Sequence, residues 1–150
     1  MNWHYLAGFF DGEGTITIRG KRCRVAITQT NKEILEEIRD FVGYGYVVEV
    51  KKRKPHWKDC WIYFISRKAD MLHFFKNVYP FLILKKELAG DAIVQIEKDL
   101  IILQERIDKA SKNRKMAKLL REKNFSYREI GKELCIDWGY ARRLVLDLKS

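Results

Sequence analysis

The sequence has few cysteines and none arranged to staple a fold or hold a metal. Cys23, Cys60 and Cys135 are odd in number, far apart and never in a CxxC pair. That argues against a disulfide framework and against a zinc site, and it predicts reduced, mostly buried thiols. No apolar run approaches the roughly 18 residues of a membrane-spanning helix, and no leader-like pattern opens the chain. No internal repeat of the whole unit is found.

What is present is positive charge on a core-forming composition. Lys and Arg number 30 against 20 Asp and Glu, a formal net charge of +10, in 150 residues that are 47% hydrophobic and 13% aromatic. Such a chain can fill one sizeable core and a small appended module. Its excess charge selects polyanions, and nucleic acid outranks a membrane surface. The expected location is intracellular, cytoplasmic and DNA-associated, with an organelle left open.

Hydrophobic periodicity divides the chain into elements. Residues 3–12 are apolar nearly all round, which predicts a helix buried on more than one side. Alternating runs at 15–19 and 22–28, around Gly20, predict a hairpin. Thr30 with Glu33 reads as a capping box, and Ile34, Leu35, Ile38, Phe41 and Val42 then repeat at helical spacing up to Gly43. A second hairpin is expected over 47–52 and 60–65. Met71, Leu72, Phe75, Val78 and Tyr79 mark a helix that Pro80 helps to close. A long helix is expected over 86–107, with an apolar stripe of Leu88, Ala92, Ile96, Leu100, Leu103 and Ile107. This order predicts an α+β fold in which an antiparallel sheet carries helices on one face and leaves the other open. The polar stretch 108–115 reads as a linker, giving a core at 1–108 and a small all-α C-terminal module at 109–150.

The end of the first helix carries the most specific signal. In Leu6-Ala7-Gly8-Phe9-Phe10-Asp11-Gly12-Glu13-Gly14, two carboxylates stand at a helix C-terminus, where the dipole already presents partial negative charge. Stability alone would favour Lys or Arg there. Either a cation is bound, with Glu13 and a nearby carbonyl as hard oxygen ligands suited to Mg²⁺, or Asp11 is hydrogen-bonded locally and Glu13 is solvated. Gly8 and Gly12, four apart and next to Ala7, leave one helix face nearly bare, so a second backbone could approach it. Leu6, Phe9 and Phe10 fill the other sides.

These nine residues resemble the motif that names the LAGLIDADG family, with the acid-small-acid-Gly ending intact. The order of elements through about residue 107 is similar to that family's αββαββα core. The resemblance implies a saddle-shaped antiparallel sheet and an intron-encoded, site-specific homing endonuclease, a hydrolase of phosphodiesters. It implies motif helices packed face to face through Leu6, Ala7, Gly8, Phe9, Asp11 and Gly12. Mg²⁺, or another divalent cation such as Mn²⁺, would be held by Glu13 and Gly12, with Glu13 standing one methylene longer than the usual Asp. Catalytic roles through solvent are implied for Gln29, at the end of the second strand, and for Lys85, after Pro80-Phe81-Leu82-Ile83-Leu84. One motif per chain implies a homodimer, and a two-fold axis implies a pseudo-palindromic site in double-stranded DNA. Two alternatives stay open: an intron RNA maturase and a non-catalytic DNA-binding regulator.

Alternation across the strands puts Thr15, Thr17 and Arg19 on one face, and Arg22, Arg24, Ala26 and Thr28 on one face of the partner strand. Ile16, Ile18, Val25 and Ile27 point the other way. Hydrogen-bonding groups so placed suit base edges in the major groove, where a β-ribbon fits; an ordinary solvated surface is the alternative. Lys51, Lys52, Arg53, Lys54 and Lys58 of the second hairpin are assigned to phosphates. In the C-terminal segment, 114–123 reads as a helix, Ser126 and Glu129 as a capping box for 127–134, and Asp137 as the cap of 138–148. The run from Ser126 to Asp137 resembles the helix-turn-helix of resolvase-like and sigma-like domains, although Cys135 takes the turn position usually held by Gly. That resemblance puts Trp138, Tyr140, Arg142 and Arg143 on or near a recognition helix. A plain three-helix packing domain is the alternative.

Overall fold

The structure is a computed structural model that describes every residue except Lys21, Arg53, Pro55 and residues 147–150. Arg53, one of the expected phosphate contacts, and the expected end of the last helix lie outside the described residues. The chain divides into two compact units, Met1–Leu100 and Ile101–Ser150.

The first unit has the αββαββα order: α1 (Trp3–Glu13), β1 (Gly14–Arg19), β2 (Arg22–Gln29), α2 (Lys32–Val42), β3 (Tyr46–Glu49), β4 (Trp61–Ile65), α3 (Lys68–Val78), a 3₁₀ turn (Tyr79–Phe81) and the start of α4 (Lys86–Glu122). Its four strands form one antiparallel sheet in the order β1-β2-β4-β3, so the hairpins meet through their second strands. Asn2 caps α1 by accepting the Tyr5 N–H at 2.9 Å. The cap of α2 is Asn31 rather than Thr30: Asn31 Oδ1 accepts the Ile34 N–H at 3.3 Å, while the Thr30 hydroxyl donates to Gln29 Oε1. An Asx side chain reaches the N3 amide as well as a threonine does, so either could have served. Gly43, at φ 84, ends the helix as expected in the left-handed region that glycine adopts without steric cost.

Helices α1, α2 and α3 all contact the sheet. The core joins Leu6, Ala7 and Phe10 of α1, Leu35 and Ile38 of α2, and Phe74, Phe75 and Val78 of α3 to Val25, Ile27, Tyr63 and Ile65 of the sheet. Each large side chain so buried contributes about 1.5–3 kcal/mol. In α4 the buried line is Ala89, Ala92 and Ile96, whereas Leu88, Leu103 and Ile107 of the expected stripe are exposed. Small residues let this helix approach closely: a Cβ on Gly90 would already touch the Tyr79 ring at 3.5 Å.

Residues 108–115, expected as a linker, are helical, because α4 runs unbroken to Glu122. Nothing in that stretch breaks a helix; polarity alone had marked it as irregular. In the second unit the end of α4 packs with α5 (Tyr127–Glu133) and α6 (Trp138–Leu146) around Ala117, Ile130, Ala141 and Leu144. The capping box is complete, with Ser126 Oγ accepting the Glu129 N–H at 3.3 Å and the Glu129 carboxylate accepting the Ser126 N–H at 2.8 Å. Asp137 Oδ1 accepts the N–H groups of Gly139 and Tyr140 at 2.8 and 3.2 Å. All three cysteines are free, but Cys23 and Cys60 are only half-buried and Cys135 is exposed, which corrects the expectation of buried thiols. Cys135 is exposed because it sits in the turn between α5 and α6. Among the described residues no helix is long and apolar enough to cross a membrane.

Candidate active site and nucleic-acid interface

The two motif carboxylates have opposite fates. Residues two apart on a helix point roughly 200° away from each other, so only one can face the core. Asp11 is that one, 8% exposed. Its carboxylate accepts the backbone N–H groups of Ile83, Leu84 and Lys85 at 2.6, 3.3 and 3.0 Å, and so ties the end of α1 to the segment that opens α4. Burial by itself would raise the Asp11 pKa, but the N–H donors of Ile83, Lys85 and Leu84 and the Lys85 ammonium outweigh it and hold the carboxyl below its ordinary value.

Glu13 is exposed and is not engaged by any hydrogen bond or ion pair among the described residues. Lys85 comes to the same helix end, where its ammonium donates to the Asp11 carbonyl. In the last turn of α1 the Phe10 carbonyl accepts the Gly14 N–H, and Gly12 stands exposed beside Glu13. Gln29 lies two residues beyond the Gly14–Ile27 pair, at the edge where β1 leaves α1, and its Oε1 accepts the Thr30 N–H at 2.8 Å. The fold therefore brings Gly12, Glu13, Gln29 and Lys85 to one end of the first unit.

The structure also sorts the six helix residues expected at an interface. Leu6, Ala7 and Asp11 are buried in their own chain and have no surface left for a partner, because they serve its core and its inter-helix tie. Gly8 and Gly12 are exposed and Phe9 is half-buried. A Cβ added at Gly8 or Gly12 would meet nothing within 4 Å.

On the sheet, the register confirms the expected grouping. Thr15 faces Ala26, Thr17 faces Arg24 and Arg19 faces Arg22 across one hairpin, and Thr28 pairs with Ile62 of β4. All of these except Ala26, Thr17 and Ile62 are exposed. Lys51, Lys52, Lys54 and Lys58 are exposed in the connection after β3, with Lys52 paired to Asp59 at 2.6 Å. On α6, Trp138, Arg142 and Arg143 are exposed, and the Arg143 guanidinium lies 5.7 Å over the half-buried Tyr140 ring. Cys135 adopts φ 52, the left-handed conformation that glycine usually supplies at this turn. A Cβ on Gly131 would lie 2.9 Å from the Ile136 carbonyl, so α5 can approach the turn only through glycine.

Sequence reasoning missed the outward apolar residues of β3 and β4, Tyr46, Val48, Ile62 and Phe64. A signal was available: both strands are apolar at consecutive rather than alternate positions, which means both faces carry apolar side chains.

A single exposed acid at the end of a small-faced helix, joined to a four-stranded antiparallel sheet with an outward basic face, defines the class of fold and site. The family model described as a LAGLIDADG-like domain matches residues 3–79. The chain belongs to that family. No curated protein is a significant match. Among solved structures, the homing endonuclease I-CvuI in complex with the I-CreI target and magnesium is 23% identical at TM-score 0.50, covering 64% of this chain and 66% of that one. I-CvuI with its own target and calcium is 19% identical at TM-score 0.50, covering 97% and 93%. The LAGLIDADG meganuclease I-AabMI bound to uncleaved DNA is 24% identical at TM-score 0.52, covering 73% and 42%, so this chain spans less than half of it. At these identities the likeness establishes the fold.

Proposed function

We propose that the chain is a homing endonuclease that acts as a homodimer, makes a double-strand break in a long pseudo-palindromic DNA site, and depends on Mg²⁺ or another divalent cation such as Mn²⁺. The observation that carries this reading is Glu13, an exposed carboxylate with no partner among the described residues, held at the helix end where the dipole makes a lone acid unfavourable. The donor set fits half a metal site. Glu13 and the Gly12 carbonyl are hard oxygen ligands, Asp11 is committed to backbone donors, and no group of three His, Cys, Asp or Glu side chains among the described residues could hold a metal.

A two-fold axis would supply the second half. The bare faces of Gly8 and Gly12 support close approach of another α1. So do Ile83 and Leu84, apolar yet 83% and 80% exposed, in the segment tied to Asp11. Bound metal would supply an activated water and neutralise charge on the leaving oxygen. The chain's own residues do the rest: Glu13 and Gly12 hold the ion, Lys85 sets a positive charge beside it, and Gln29 orders solvent. Arg19, Arg22, Arg24, Thr15, Thr17 and Thr28 would read base edges, Lys51, Lys52, Arg53, Lys54 and Lys58 are assigned to phosphates, and residues 109–150 would add DNA contacts through Trp138, Tyr140, Arg142 and Arg143.

The test is incubation of the purified chain with DNA carrying its insertion site, with Mg²⁺ or with chelator. Wild type should cut only with metal, and Glu13→Gln should abolish cutting while sparing binding. Cleavage by Glu13→Gln overturns the assignment. Metal-independent binding without any cleavage moves the reading to a DNA-binding regulator, which the left-handed turn at Cys135 and the close approach at Gly131 between α5 and α6 support.

A further inference from the structure

The outward face of the sheet has two chemically different halves. On β1 and β2 the register sets Arg19 beside Arg22 and Thr17 beside Arg24. On the same face the next strands set Phe64 beside Ala26 and Tyr46, and Ile62 beside Thr28 and Val48. Tyr46 and Val48 are 56% and 44% exposed. The Tyr46 and Phe64 rings lie 5.5 Å apart, forming one apolar surface. Val48, Ile62 and Phe64 carry no hydrogen-bonding group.

The arginines decide what covers this patch. The apolar half runs without a break into a face bearing Arg19, Arg22 and Arg24, and exposed lysines follow β3. A second copy laid on this face would bring like charges together; a polyanion would not. In a DNA major groove the one apolar feature is the thymine 5-methyl group. Set against guanine or cytosine edges, Val48, Ile62 and Phe64 would strip water from donors and acceptors without replacing it.

We propose that the β3–β4 half of the sheet reads thymine methyl groups, through Val48, Ile62, Phe64 and the Tyr46 ring, while the β1–β2 arginines read guanines. Each half-site is thereby divided into a thymine-bearing segment and a guanine-bearing one. This rests on the nuclease reading above.

The test is selection of bound duplexes from a randomised pool by the full chain, with Ca²⁺ in place of Mg²⁺, followed by replacing each enriched thymine with uracil, which removes only the methyl group. Each contacted methyl should account for about fourfold in Kd, the effect of burying one such group. Val48→Ser, which removes both side-chain methyl groups at an exposed site, should remove the thymine-uracil difference at its own position and leave the others. Equal binding of thymine and uracil duplexes overturns the proposal and leaves the nuclease reading standing. Failure to bind any duplex overturns both. If Val48→Lys converts a DNA-free dimer to monomers, the patch belongs to a second copy and the proposal falls.

Discussion

The two units stabilise themselves by different means. Met1–Leu100 buries Phe10, Phe74, Phe75 and Tyr63 together with branched aliphatics from every layer. In Ile101–Ser150 the described core is two alanines, one isoleucine and one leucine, so far less apolar area leaves water. Helix ends therefore carry more of the second unit's stability, through the Ser126–Glu129 box, the Asp137 cap and Asn124, whose φ of 66 closes α4. The lesson is that a large core tolerates charge at a helix end, so an exposed acid such as Glu13 can stand there without a partner among the described residues. A small core has no such reserve, and its polar side chains are spent on caps.

The largest effect that would sharpen this contrast is in the first unit. Asp11→Ala leaves three backbone N–H groups without their acceptor and should lower the unfolding free energy by about 3 kcal/mol in urea titration. Glu13→Ala, at an exposed site, should change it by no more than about 0.5 kcal/mol. Equal effects would break the distinction between the buried acid and the exposed one. The pH dependence follows the same residue. Its folded pKa is depressed, so its stabilisation is present above the unfolded value near ~3.9 and is lost as pH falls through the folded value. Asp11→Asn should flatten that acid limb of stability, and an unchanged limb would deny the tie.

Smaller effects belong to the second unit. Ser126→Ala should destabilise α5 and α6 by about 1 kcal/mol, read as faster amide hydrogen exchange there with β2 and β4 unaffected. Cys135→Gly should stabilise the same helices by about 0.5 kcal/mol: relief of the left-handed penalty, roughly 1–2 kcal/mol, exceeds the entropic cost of glycine, about 0.5–1 kcal/mol. A loss of protection in Cys135→Gly would mean that the thiol side chain, rather than the turn conformation, matters at this position.

Much of this architecture was open to reading because its signals are local. Alternation over 15–19 and 22–28 placed threonines and arginines on one face, and the strand register bears that out. The capping side chains Ser126, Glu129 and Asp137 act on amides two or three residues away. The start of α2 and the extent of α4 were misjudged where neighbouring residues offered equivalent caps, or where polarity imitated a break in the helix.

By itself the sequence determined the family motif, the order of elements, and the two carboxylates two residues apart at one helix end. Only the tertiary structure decided which of them is free. The backbone donors that engage Asp11 come from Ile83, Leu84 and Lys85, more than seventy positions along the chain, and no periodicity or propensity reaches that far. The same holds for the two halves of the sheet face, because β2 meets β4 rather than β3, and only that pairing sets Phe64 beside Ala26 and Ile62 beside Thr28.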